Sequence, residues 1–140
     1  MALSIEEARE FFSGDCYATA LTGIDIVEVG DHYSKCCLAL DGRHKNAAGQ
    51  IMGGVPYTLA DFAFAVATNS GKDGYTVTVT GNISYLSICR GNVLTAECTL
   101  LREGRRNCFY HVDIKDETGT LVAVVNFSGA HIAAKSPVSD

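Results

Sequence analysis

The chain has 140 residues, 47% apolar and 19% charged, a balance that fits one folded domain and excludes long disorder. Its formal net charge of −5 gives no electrostatic ground for a nucleic acid or an anionic membrane as partner. The N-terminus has no basic segment followed by an apolar run, so no secretory signal is expected. The six cysteines contain no C-x-x-C pair and fall mostly within strand patterns, where they read as small, reduced apolar residues of a cytoplasmic protein. The four histidines are scattered and none pairs with an acid at ligand spacing, so neither a metal nor a cofactor is expected.

Taken in order, Ser4 to Phe12 predicts a short helix, with Ser4 and Glu7 forming a capping box and Gly14 stopping it. Leu21 to Val29 and Tyr33 to Leu40 predict a β-hairpin turning at Gly30-Asp31. A polar loop from Asp41 to Gln50 leads to Gly53-Gly54 and then to one apolar helix over Pro56 to Thr68. At about 13 residues that helix is too short for a bilayer, which needs ~20. From Leu59 to Val66 only Asp61 is not apolar, so the helix is expected to be buried all round with one acid inside it.

Tyr75 to Leu86 alternates apolar and polar residues as a half-buried strand, and Gly81 marks a bulge or a close backbone approach. Val93 to Leu101, Arg106 to Lys115 and Thr120 to Ile132 predict three further strands. Short turns between the last four strands predict an antiparallel meander. One buried helix with small residues (Ala60, Ala63, Ala65, Ala67) and about six strands implies an α+β domain over 1–134, its curved sheet wrapped round the helix. The tail, 135–140, is expected to fray.

A carboxylate inside a helix shifts its pKa, finds donors or faces a cleft, so Asp61 is either a structural acid or a reactive one. Gly53 and Gly54 either form an ordinary turn or offer backbone N–H groups at a helix start to a negatively charged oxygen. Asn46 is either a local turn residue or a group that orients water. Thr78 is either a half-exposed strand residue or a partner of the acid.

These pieces resemble the hotdog fold and, within it, the phenylacetate-pathway (PaaI-like) acyl-CoA thioesterases. The match rests on Asn46, Gly49, Gly53-Gly54, Thr58-Leu59-Ala60-Asp61, Asn82-Ile83-Ser84-Tyr85-Leu86, Arg90-Gly91, Gly104-Arg105, Asp116 and Gly119. It covers Asn46 to Ile132. It departs from the pattern at Met52, where the family usually has histidine, and at Ser87-Ile88, where Arg-Pro is usual.

The resemblance implies hydrolysis of an aryl- or medium-chain acyl-CoA. In that reading Asp61 is the nucleophile or general base, the Gly53 N–H is the oxyanion donor and Asn46 assists. It further implies substrate contacts from Met52, Gly54, Tyr57 and Thr78, with Phe62 and Phe64 beside Tyr57 as candidate acyl-pocket residues. Arg90, Arg105 and Arg106, with Arg102, are the cations available for CoA phosphates. A homodimer, or a dimer of dimers, is implied because similar enzymes draw the acid and the Asn–Gly elements from different subunits. A non-catalytic acyl-CoA-binding domain stays open because of Met52. A hydroxyacyl-thioester dehydratase would need a catalytic histidine, and the nearest is His44.

Overall fold

The computed structural model describes residues 2–134; the predicted frayed tail lies outside the described residues. Ser4 caps helix α1 (Ile5–Phe12) as expected, its hydroxyl accepting from the Glu7 N–H at 3.2 Å. A segment that the sequence pattern did not predict follows: Tyr17–Leu21 winds as one wide π-type turn. Strands β1 (Ile24–Gly30) and β2 (Tyr33–Ala39) form the predicted hairpin, and the first strand starts later than predicted because of that turn.

Helix α2 (Gly54–Asn69) begins at the second glycine, two residues before Pro56. Pro56 sits in the first turn, where an N–H has no intrahelical partner to lose. Four long strands follow: β3 (Tyr75–Tyr85), β4 (Val93–Glu103), β5 (Asn107–Asp116) and β6 (Leu121–Ile132).

All six strands form one antiparallel sheet in the order β1-β2-β4-β5-β6-β3. The predicted four-strand meander is therefore corrected: only β4, β5 and β6 are sequential neighbours, and β3 pairs with β6. The reason lies in the connection after β3, which is not a tight turn. The Leu86 and Ser87 N–H groups bond to Val122 O, and the Arg90 and Gly91 N–H groups to Asp116 Oδ2, so the chain crosses the end of the β5–β6 hairpin before entering β4.

The helix lies in the concave face of this sheet. Ala60, Ala63 and Ala67 are buried and allow close approach, and Ser34 on β2 donates to Ala63 O at 2.5 Å. Phe64 stacks on Phe127 (centroids 4.8 Å apart, 21° between planes) and meets Tyr110 edge-on. On β4 and β5, Leu94, Ala96, Cys98, Cys108, Tyr110, Val112 and Ile114 point inward at every second position; Leu100, which continues the β4 row in the sequence, is 37% exposed beside the register shift before Arg102.

Two burial expectations are corrected. Helix α2 is not enclosed all round: Gly54 and Asp61 are exposed, with Thr58 and Ala65 half-buried, along one stripe at i, i+4, i+7 and i+11 spacing. The sheet covers the opposite side and cannot reach this one. Strand β3 has no buried face; Val79 and Tyr85 are 58% and 55% exposed on a strand that lies at one of the two edges of the sheet. Gly81 is a site of close approach, since a Cβ there would lie 2.1 Å from Tyr57 Oη and 2.9 Å from Phe127 Cε1. A register shift between Thr78 and Thr80 places a bulge just before it.

Candidate active site

Asp61 opens into a cleft of ≈ 300 Å³ whose walls include Asp15, Tyr17, Thr58, Phe62 and Ala65. The carboxylate accepts a hydrogen bond from Thr78 Oγ1 at 3.2 Å, which decides between the two readings of that strand residue. Its pKa is raised above the ordinary aspartate value. The walls that strip water from it are the main cause, the Thr78 bond opposes the shift, and the nearby Asp15 charge adds to it. Asp15 is itself raised by burial. The cleft therefore holds two carboxyl groups that both resist ionisation.

Asp15 and Tyr17 carried no signal in the periodicity. They reach the cleft only because the π-type turn folds them over the open stripe of α2. Nothing in the spacing of Asp15 and Asp61 suggested that they meet.

A second cleft, ≈ 180 Å³, lies at the start of α2, where Gln50, Ile51, Gly53, Tyr85, Ile88 and Cys89 form part of its lining. Gly53 is the helix N-cap, and no side chain caps it. The first N–H groups of a helix have no intrahelical acceptor, so this terminus presents donors and the positive end of the helix dipole. Tyr85 Oη donates to Gly53 O at 2.5 Å and fixes the turn. A Cβ at Gly53 would sit 3.0 Å from that hydroxyl, whereas one at Gly54 would meet open space. Met52 is 59% exposed beside this turn, and its N–H donates to His44 O.

Within one chain these two clefts are separate. From Gly53 to Asp61 the helix advances about 12 Å at its ~1.5 Å rise per residue. Asn46 joins neither: its Oδ1 accepts from the Ala48 and Gln50 N–H groups and closes the turn locally. Tyr57 packs over Gly81 and against Phe127 (centroids 5.8 Å apart) rather than lining the Asp61 cleft. Its pKa is raised by burial and then by the Asp61 charge. Phe62 does line that cleft, whereas Phe64 is core.

Of the candidate cations, Arg90 flanks the Gly53 cleft next to Cys89. Arg102 lies near the C-terminal end of β4, and Arg105 and Arg106 lie in the β4–β5 turn. The two groups are at opposite ends of an eleven-residue strand, so one nucleotide held within one chain cannot meet both.

His44 is buried with both ring nitrogens engaged: Nδ1 accepts from the Asp41 N–H at 3.0 Å and Nε2 donates to Thr22 O at 2.7 Å. It is a loop anchor, which leaves it no free nitrogen for the proton transfer a dehydratase requires. His111 lies on the outer face with Asp113 (2.8 Å) and Asn126 (2.9 Å), away from both clefts.

Comparison with known proteins adds four findings. A family model described as the thioesterase superfamily matches residues 48–123, which include Gly53, Asp61, Thr78 and Arg90. The chain is 29% identical over 122 residues to a putative esterase of Archaeoglobus fulgidus (86% of this chain, 78% of the relative). It is 28% identical over 120 residues to the acyl-coenzyme A thioesterase PaaI of Escherichia coli (85% and 84%). Among solved structures, a Haemophilus influenzae thioesterase superposes with a TM-score of 0.88 at 21% identity, covering 99% of this chain and 97% of that one.

Proposed function

Because the chain belongs to the thioesterase superfamily, with the PaaI-like hotdog fold and thioester hydrolysis that go with it, we propose that it cleaves an aryl- or medium-chain acyl-CoA at a site shared by two copies of the chain. In this reading Asp61 of one copy is the general base and the Gly53 N–H of the other is the oxyanion donor. The observation that carries it is the separation of the two groups along α2. Groups serving one carbonyl must each come within about 3–4 Å of it, directly or through one water. About 12 Å of helix is too far for both to belong to the same chain.

The free edge of β3 supports the second copy. The strand pairs with β6 on one side only, and its eleven residues carry exposed Tyr75, Val77, Val79 and Tyr85, with exposed Leu86 and Ile88 just beyond. A bare apolar edge of this length favours pairing with another strand. Thr78, the partner of Asp61, lies on that same strand.

The chemistry follows from the groups. The Asp61 carboxylate takes a proton from water while the oxygen of that water adds to the thioester carbonyl. Negative charge gathers on the carbonyl oxygen, where the Gly53 N–H and the helix terminus favour it. Collapse expels the CoA thiolate, which takes up a proton, and leaves the free acid. A carboxylate raised above its ordinary pKa is a better proton acceptor, which favours general-base action over direct attack. Arg90 is the phosphate contact nearest the Gly53 cleft, Arg105 and Arg106 are available only at the far end of β4, and Met52 and Gly54 border the entry.

The test is Asp61→Asn on an acyl-CoA panel. Loss of a general base predicts a ~10²–10⁴-fold lower kcat/KM with an unchanged melting temperature. In the wild type, kcat/KM rises with pH as Asp61 deprotonates, with its midpoint above the ordinary 3.8. Wild-type rates in the variant would remove Asp61 from the mechanism.

A further inference from the structure

Where β3, β4, β5 and β6 come together near the C-terminal end of α2, the sheet register gathers three residues that are far apart in the sequence. Glu103 ends β4 opposite Cys108 on β5, Cys108 faces Gly129 on β6, and His131 faces Thr76 on β3. One carboxylate oxygen, one thiol sulfur and one imidazole nitrogen from Glu103, Cys108 and His131 lie within 4.8 Å of one another. We propose that these three side chains bind one divalent transition-metal ion of the zinc type, clamping the ends of β4, β5 and β6.

Three observations carry this. The first is the donor set: one thiolate, one imidazole and one carboxylate suit zinc, and the two anions neutralise a dication. The second is the state of His131. Its Nε2 is buried and makes no hydrogen bond among the described residues, its one polar contact being the ion-pair approach to Glu103 Oε1. A buried nitrogen with a charged neighbour but no hydrogen bond is uncommon and calls for an explanation. Its other nitrogen, Nδ1, lies 2.9 Å from Thr76 Oγ1. With Nδ1 as the donor, the Nε2 lone pair points into the cluster, which is how metal-bound histidines are held.

The third is space. A Cβ on residue 129 would lie 3.0 Å from Cys108 Sγ and 2.8 Å from Thr76 Cγ2, so glycine there leaves the thiol and its neighbour room. Ligand atoms around a tetrahedral zinc ion sit about 3.3–3.8 Å apart, given bonds of ~2.0–2.3 Å. The wider separations, up to 4.8 Å, must contract by about 1 Å and the touching His131–Glu103 pair must open to admit an ion, both by side-chain rotation.

His32 Nδ1 is next in reach, 3.6 Å from Glu103 Oε2. It is bonded to Tyr110 Oη at 2.9 Å and faces Lys72 Nζ at 3.1 Å. The lysine charge opposes a cation on that side, so the protein supplies three ligands and water the fourth. On binding, the Cys108 thiol gives its proton to the solvent. None of the three ligands lines the Asp61 or Gly53 cleft, so the site stands apart from the hydrolytic reading.

The experiment uses the full chain after chelator treatment, titrated with Zn²⁺ alone by calorimetry and with Co²⁺ by absorption. One ion per chain is expected, with a near-ultraviolet thiolate-to-Co²⁺ charge-transfer band. Cys108→Ser, close to isosteric, removes the band, and Cys16→Ser at the exposed cysteine keeps it. His131→Gln and Glu103→Gln each weaken Zn²⁺ binding at least tenfold, and Thr76→Val weakens it about tenfold through the lost orienting bond. The wild-type band needs no variant to fold, and Glu103 is exposed enough to replace safely. Absence of saturable uptake, a band that survives Cys108→Ser, or an affinity untouched by the Glu103 and His131 variants would each overturn the site.

Discussion

If the site is shared between two chains, two dead variants should repair one another. In a symmetric dimer each site takes Asp61 from one chain and Gly53 from the other. The first variant is Asp61→Asn. The second is Gly53→Pro, which deletes the N–H while keeping a backbone angle proline accepts, since φ at Gly53 is −56°. Both are made with Tyr85→Phe, because a Cβ at residue 53 would press on the Tyr85 hydroxyl at 3.0 Å. Losing one oxyanion donor costs about 10²–10³ in rate, or ~3–4 kcal/mol in the barrier, so either variant alone is nearly silent. Mixed one to one, unfolded and refolded together, half of the dimers contain one chain of each kind. Each mixed dimer has one site with Asp61 and Gly53 both intact and one with neither. The mixture should recover about one quarter of the Tyr85→Phe activity. Loss of thioester absorbance is the suitable assay, since thiol reagents would also label exposed Cys16. A mixture no more active than its parents would refute the shared site.

Two further outcomes test the fold. Gly81→Ala puts a methyl group against Tyr57 and Phe127 and should destabilise by about 1–3 kcal/mol through overpacking. Tyr57→Phe removes the atom it meets first and should restore part of the loss in thermal melts followed by circular dichroism, the chain having no tryptophan. Asp116 is held at a pKa of about 2 by the Thr118 hydroxyl, with the Arg90, Thr118 and Thr120 N–H groups adding to the shift. Its folded pKa is depressed, so its contribution is complete above 3.8 and disappears as pH falls towards 2. Melting temperature should therefore drop across that window, and Asp116→Asn should flatten the slope; an unchanged slope would show that the crossing from β3 to β4 does not depend on this charge.

The histidines illustrate how far linear spacing reaches. His131 meets Glu103, and His111 bonds across strands to Asn126, through strand register rather than helical or loop spacing. Register is fixed by the whole sheet, so no local pattern carried the Glu103, Cys108 and His131 cluster. The meander failed for a related reason. Leu86 to Asn92 has the composition of a turn, but its N–H groups find acceptors on Val122, Asp116 and Glu117, and this long-range bonding sends the chain across the β5–β6 hairpin.

What the sequence determined by itself was whatever depends on local period and composition. The α1 cap, the β1–β2 hairpin, the inward rows of β4 and β5, the small residues of α2 and the place of Asp61 within it were all legible there. Tertiary structure decided which side of α2 stays uncovered, and with it that Asp61 lies in a cleft instead of a closed core. It also decided that Asp15 shares that cleft, that β3 is a bare edge, and that Gly53 and Asp61 stand a helix length of about 12 Å apart. The physical reason is that burial and proximity belong to the assembled surfaces. Six strands of this curvature cover one side of one helix, and the remaining side is left open at the one position where the sequence carries an acid.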